Sequence, residues 1–498
     1  MYLLGYDIGS SSVKAALVNA ATGATVAVVQ SPETELTITS LTQGWAEQDP
    51  ELWWQHVCLA TRKLLHKTRI KPNEIKGIGI AYQMHGLVLV DKNGDVLRPA
   101  IIWCDSRAVE IGNRAMADIG QEKCLSRLLN SPGNFTASKL KWVQQNEPHI
   151  YERVHKMMLP GDYIAMRLTH ETCTTNGGLS EAILWDFSKD ETADFLLDYF
   201  GFDAKVIPDM VPTFSIQGKL TSIAATETGL SVGTPVTYRA GDQPNNALSL
   251  NVLSSGEVAA TGGTSGVVYG VVNRPAFDPQ SRVNGFVHVN HRPELPRIGV
   301  LLCINGAGSQ YRWIKQQVAN SDETYTDMEH QAAQIPIGAD GLRVLPFGNG
   351  AERMLGNRDI GSRMLHLQFN RHSRAHIYRA ALEGIAFSFV YGLEIMRDLG
   401  LNLQVIRVGN DNLFQSQVFS QTISNVAHCQ IECIETTGAV GAAKAAGVAS
   451  GFYSDISEAM QRQKIASIYE PDTHNEAFGE AYQDWKTLLD NELNKKQI

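Results

Sequence analysis

Two short stretches, half a chain apart, share one plan. The first reads Leu3-Leu4-Gly5-Tyr6-Asp7-Ile8-Gly9-Ser10-Ser11-Ser12-Val13-Lys14. An apolar strand ends at an aspartate, a Gly/Ser turn follows, and a second strand over residues 13–18 leaves it carrying a lysine. The second stretch has β-prone runs at residues 257–261 and 267–272 around Gly262-Gly263-Thr264-Ser265-Gly266. Glycines admit close approach, tight turns orient amides toward an anion, and the hydroxyls add donors, so each turn has the chemistry of a phosphate cradle. One such turn reads as easily as an ordinary glycine hairpin. Two of them, opening the two halves of a 498-residue chain, predict duplicated α/β domains facing one nucleotide.

Just before the second turn stands Gly241-Asp242, followed by Gln243, Pro244, Asn245 and Asn246. The domain boundary is placed there, giving domains over residues 1–245 and 246–498 with the acid at the hinge, where both can reach it. Elsewhere the pattern is alternating. Asp49-Pro50-Glu51 starts a helix that buries Trp53, Val57, Ala60 and Leu64. Residues 75–81 and 87–90 read as strands, with the polar break Gln83-Met84-His85-Gly86 between them. Residues 137–235 read as mostly helical, with a polar loop over 174–180. Long helices follow over 373–399 and after Thr437, the latter with Gly438, Ala442 and Ala446 as a close-packing face. From Ser457 onward two surface helices are expected.

Composition removes several classes. The net charge is −9, so no basic footprint for nucleic acid exists. Met1 runs straight into a strand without a signal-peptide pattern, and the uncharged run over 258–272 is too short and broken to span a membrane. Seven scattered cysteines with no C-x-x-C pair fit reduced thiols and a cytoplasmic location, and give a zinc site little support. No P-loop, complete G-x-G-x-x-G or G-x-S-x-G occurs. Phosphoryl transfer is the economical reading that remains, and it calls for backbone donors, a cation, magnesium and a base on the acceptor side. Asp242 is the candidate base. Asp7 is the candidate magnesium partner, through water.

Taken jointly, DIGSSSVK, QMHG (83–86), WCDSR (103–107), AGDQ (240–243), GGTSG (262–266) and TTGAVGAAKAAG (436–447) resemble the FGGY carbohydrate kinases, most closely the xylulose kinases among them. The resemblance covers residues 3 to about 451. It implies two actin-like (ribonuclease H-like) domains with ATP and a sugar in the cleft between them. It places the base at Asp242 and lines one side of the phosphates with Gly9, Ser11, Ser12 and Lys14. Gly263, Thr264 and Ser265 line the other side. Met84 and His85 match the sugar-contacting pair, Trp103, Asp105 and Arg107 a second sugar element, and Gln243 the position after the base. Gly308 and Arg312 match positions near the nucleotide, and Gly409 and Asn410 the adenine wall.

The departures are specific. Cys104 replaces an asparagine, Gln243 stands where xylulose kinases often carry asparagine, and Thr175 and Asn176 occupy a loop that usually has an aspartate. The adenine segment Gly409-Asn410-Asp411-Asn412-Leu413-Phe414-Gln415-Ser416 is two residues longer than the family's triple-glycine form. The expected reaction is transfer from ATP, with Mg2+, to a ketopentose, D-xylulose foremost. Ribulose, fuculose, gluconate or glycerol remain open as substrates. An actin-like ATPase switch without a sugar is a further alternative, one that leaves QMHG, WCDSR and Asp242 without a purpose. The expected partners are a small-molecule sugar and ATP, with no nucleic acid and no membrane, and a homodimer is left open.

Overall fold

A computed structural model describes residues 1–461, 463–472 and 476–495. Strands β1 (Tyr2–Ile8), β2 (Val13–Asn19) and β3 (Thr25–Ser31) form an antiparallel meander. Strands β4 (Ile75–Tyr82) and β5 (Val236–Gly241) add to it in parallel, giving the order β3-β2-β1-β4-β5. The second half repeats this plan with β6 (Glu257–Gly262), β7 (Gly266–Val272), β8 (Asn284–Val287), β9 (Ile298–Ile304), β10 (Val405–Gly409), β11 (Ile431–Ile434) and β12 (Ile465–Tyr469). Its order is β8-β9-β7-β6-β10-β11-β12, so β9-β7-β6-β10-β11 mirrors the first sheet and β8 and β12 are added edges. The duplication read from the two turns is therefore a duplication of sheets.

Helix α1 (Pro50–Thr68) begins as its sequence dictates. The Asp49 carboxylate accepts the Glu51 N–H at 2.9 Å, proline occupies the first turn, and Trp53, Val57, Ala60 and Leu64 are buried. The region expected to be mainly helical includes α2 (Thr136–Asn146) and α3 (Asn176–Glu181). The segment expected as a polar loop is mostly α3, because the Thr175 hydroxyl caps it by accepting the Gly178 N–H. Next come α4 (Asp242–Ser249), α5 (Ala307–Gln317), α6 (Tyr325–Ala333), α7 (Arg374–Asp398), α8 (Gly438–Ala449) and α9 (Ala477–Asn494).

Helix α8 belongs to the second half in sequence but lies on the first sheet. A Cβ on Gly5 or Gly79 would strike the carbonyl oxygens of Ala439 and Ala442. These strand glycines let an alanine-rich helix settle backbone to backbone on β1 and β4. Helix α8 therefore packs across the boundary expected at residue 245. The two helices expected from Ser457 form over Ile456–Met460 and as α9, but β12 lies between them and α9 is no surface helix, since it fully buries Trp485 and Leu489. The Trp485 indole N–H donates to the Val344 carbonyl at 2.8 Å.

Candidate active site

The parallel strands β1, β4 and β5 end side by side, pairing Ile8 with Tyr82 and Tyr82 with Gly241. Ligands of open α/β sheets bind beyond such carboxyl ends. Asp7, Met84-His85 and Asp242 all stand there. The Gln83 N–H donates to the Ile8 carbonyl at 2.8 Å, carrying the chain past the end of β4. Met84 is buried under Gly241, where a Cβ would come within 2.5 Å of Met84 Cγ. The glycine before the candidate base is thus set by the methionine's packing.

His85 adopts φ 62°, a left-handed conformation for a non-glycine residue. Its ring lies against Phe135 at 4.7 Å and Phe286 at 5.4 Å between centroids, and burial drops its pKa to about 3, so the ring is neutral. Lys139, a fully buried lysine on α2, carries no motif that would flag it. It donates to the carbonyls of His85 at 2.9 Å and Ile102 at 3.0 Å, tying together the segments around His85 and Trp103. Burial pulls its pKa down to about 7, with Asp105 opposing.

Trp103 is 54% exposed, and its indole N–H donates to the Ser10 hydroxyl at 3.3 Å, so a broad apolar face borders the first phosphate turn. Asp105 and Arg107, expected on the sugar, are buried instead with their charges spent on each other and on the wall. Asp105 accepts Arg107 Nη2 at 2.7 Å and the Ala46 N–H at 2.6 Å. Arg107 Nη1 meets Glu47 at 2.7 Å, and the guanidinium stacks 3.8 Å from the Trp45 ring. The pair braces the strip on which Trp103 stands.

Asp242 opens α4, next to Gln243. Burial, with the Asp7 charge adding, pushes its carboxyl up to about 7. Asp7 is likewise raised by burial, opposed by Lys14, its cross-strand partner in β2. Directly opposed residues of an antiparallel pair share one face. Among the described residues the Asp7 carboxylate accepts no hydrogen bond and Lys14 makes no ion pair. The amino end of α8 adjoins the same acid: a Cβ on Gly438 would lie 2.8 Å from Asp7 Oδ2. Around the first turn the Gly9 N–H donates to the Ser12 carbonyl at 3.0 Å, leaving Ser11 exposed and Ser12 half-buried.

On the other side, the 262–266 turn meets α5. The N–H groups of Gly308 and Ser309 donate to the carbonyls of Gly263 and Thr264 at 3.1 and 3.0 Å, which holds the turn open with Thr264 and Ser265 exposed. Next to it is a cavity of about 530 Å³. Gly263, Thr264, Gly308 and Arg312 line it, together with Tyr311, Tyr325 and Glu329, which the sequence did not flag. Gly409 and Asn410 are not among the lining residues. Asp411 folds back on Gly409, and Asn412, Leu413, Gln415 and Ser416 form that wall instead. Glu329 fixes the wall by accepting the Ser416 hydroxyl at 2.6 Å and the Val418 N–H at 2.9 Å.

Two sheets of one plan, each with a hydroxyl-rich turn, and a raised aspartate at the end of the first sheet define a class, the two-domain sugar kinases. The chain belongs to the FGGY family of carbohydrate kinases. The family's N-terminal domain model matches residues 2–249 and its C-terminal domain model residues 258–450. The chain is 29% identical to the xylulose kinase of Bacillus subtilis, over 98% of this chain and 95% of that one. It is equally 29% identical to the L-xylulose/3-keto-L-gulonate kinase of Escherichia coli, over 98% and 96%. The crystal structure of xylulose kinase from Rhodospirillum rubrum superposes with a TM-score of 0.88, at 26% identity over 99% of each chain. The protein is thus a phosphotransferase that uses ATP and an alcohol group as acceptor.

Proposed function

We propose that the protein transfers the γ-phosphoryl of ATP to a terminal hydroxyl of a ketopentose, O5 of D-xylulose, with Asp242 as general base. The observation that carries this is Asp242 itself: a carboxylate close enough to Asp7 to feel its charge, following the glycine packed on Met84, with its pKa brought to about 7. A base poised near the working pH combines proton affinity with availability. The proton of the attacking hydroxyl passes to Asp242 as the new O–P bond forms. Trp103 and Met84 offer apolar faces to the sugar carbons, and neutral His85 offers a nitrogen to a hydroxyl. Gly9, Ser11, Ser12, Gly263, Thr264 and Ser265 supply donors to the phosphates. Lys14 and Arg312 add cations that form no ion pair within 4 Å among the described residues.

Magnesium fits the residues present. No cluster of three or more His, Cys, Asp or Glu side chains able to hold a metal occurs among the described residues. A hydrated ion held by phosphate oxygens and one carboxylate needs no such cluster. Asp7, free of hydrogen-bonded partners, supplies that carboxylate. When bound, such an ion would supply positive charge to the phosphates. ADP release measured with ATP across D-xylulose, L-xylulose, ribulose, fuculose, gluconate and glycerol tests the substrate. D-xylulose should give the highest kcat/KM. A clear lead for any other acceptor would keep the mechanism and overturn the substrate.

A further inference from the structure

Glu181 ends α3 and is almost fully enclosed, its side chain 2% exposed. Buried acids usually face a cation. Among the described residues this one has no lysine or arginine partner, and the neighbouring charges are the acids Asp242 and Asp162. Burial holds its carboxyl well above the ordinary range, and the Tyr82 phenol lies beside it.

Both of its bonds to the 83–86 segment end on His85. Glu181 Oε2 accepts the His85 backbone N–H at 2.9 Å, and the Glu181 carbonyl oxygen meets His85 Nδ1 at 2.9 Å. The left-handed backbone of His85 costs about 1 kcal/mol or more, and it persists only where its surroundings over-determine it. The side-chain bond supplies that constraint. The carbonyl bond fixes the chemistry of the ring: a carbonyl oxygen only accepts, so Nδ1 carries the proton and Nε2 keeps a bare lone pair. Nε2 has no donor among the described residues, while Phe135 and Phe286 hold the ring plane.

We propose that Glu181 is a positioning residue that sets the backbone and tautomer of His85, so that Nε2 faces the sugar as an acceptor only. The wall then selects acceptors with a hydroxyl, a donor, at that point over those presenting a carbonyl or ether oxygen. This deepens the reading of 83–86 as the sugar wall and rests on it.

Histidine-labelled full-length protein, with the His85 signals assigned by loss in His85→Gln, reports the tautomer by nitrogen-detected magnetic resonance. His85 should be neutral and protonated on Nδ1 from about pH 6 to about pH 8 in wild type and in Glu181→Gln, which keeps an acceptor for the backbone N–H. In Glu181→Ala the signals should broaden or mix. The KM for D-xylulose should then rise roughly tenfold or more, with the KM for ATP and the melting temperature of the Gln variant close to wild type. An Nε2-protonated ring in wild type would overturn the proposal. So would an alanine variant with unchanged xylulose KM. An enzyme that ignores D-xylulose would overturn the substrate reading instead, and the tautomer result would still decide the role of Glu181.

Discussion

Asp242 is held in a state that suits catalysis and burdens the fold. Its folded pKa lies above the ordinary carboxylate value of 3.8, so its favourable contribution belongs to the protonated form. That contribution is present at low pH and is lost as pH climbs from about 4 to about 7. Asp242→Asn should therefore melt higher than wild type, by roughly 2 °C, with the gain growing across that window and levelling off above it; calorimetry at several pH values checks this. On the chemical side, kcat/KM for the sugar should rise with pH toward about 7 as Asp242 loses its proton. His85, with its pKa near 3, adds no limb of its own. Lys139 gives a residue-scale test of the wall. Lys139→Met keeps most of the volume but removes the donor to the His85 carbonyl and leaves the Ile102 carbonyl only the Asp105 N–H, so stability should fall by about 2 kcal/mol in urea unfolding and the sugar KM should rise.

Among the elements, the contact between α8 and the first sheet is the least forgiving. Gly79→Ala would place a methyl group on the Ala442 carbonyl, so it should cost about 1–3 kcal/mol or more, whereas Gly479→Ala, whose site on α9 is open, should be near neutral or stabilising. Equal melting temperatures for the two variants would contradict the close packing. The wall between Asn412 and Ser416 depends on α6 through Glu329, and Glu329→Gln should raise the ATP KM several-fold with little change in the sugar KM. These elements also mark how far the sequence was legible. Strand-turn-strand units carry their signature locally, in period and turn chemistry, and so both sheets and both phosphate turns could be read from it. The placement of α8 could not, because it depends on glycines nearly the whole chain away, at positions 5 and 79. The same limit applies at the site. Asp7 and Asp242 sit in motifs, but Lys139 and Glu181 lie on helices whose sequences look like ordinary surface or core, and only the fold brings them to His85. Asp105 and Arg107 were legible as a motif but not as a buried pair, since a motif fixes spacing and leaves burial open.

At the scale of the whole molecule, the proposed reaction draws the sugar side from the first sheet and the nucleotide side from the second. Bringing a phosphate in line with a sugar hydroxyl while keeping water out requires the halves to approach. X-ray scattering in solution should show a smaller radius of gyration with D-xylulose and a non-hydrolysable ATP analogue together than with either alone. An unchanged radius would contradict closure, as would ATP hydrolysis indifferent to sugar.

The central claim is that Asp242 takes the proton of the attacking hydroxyl. Replacing it by asparagine preserves size and much of the hydrogen bonding and removes only the base. The direct measurement is therefore turnover of D-xylulose by Asp242→Asn, with sugar and nucleotide affinity followed by calorimetry in the same preparation. The account predicts a fall in kcat of roughly 10²–10⁴ with both affinities near wild type. A variant that binds both ligands and turns over within a few-fold of wild type would contradict it.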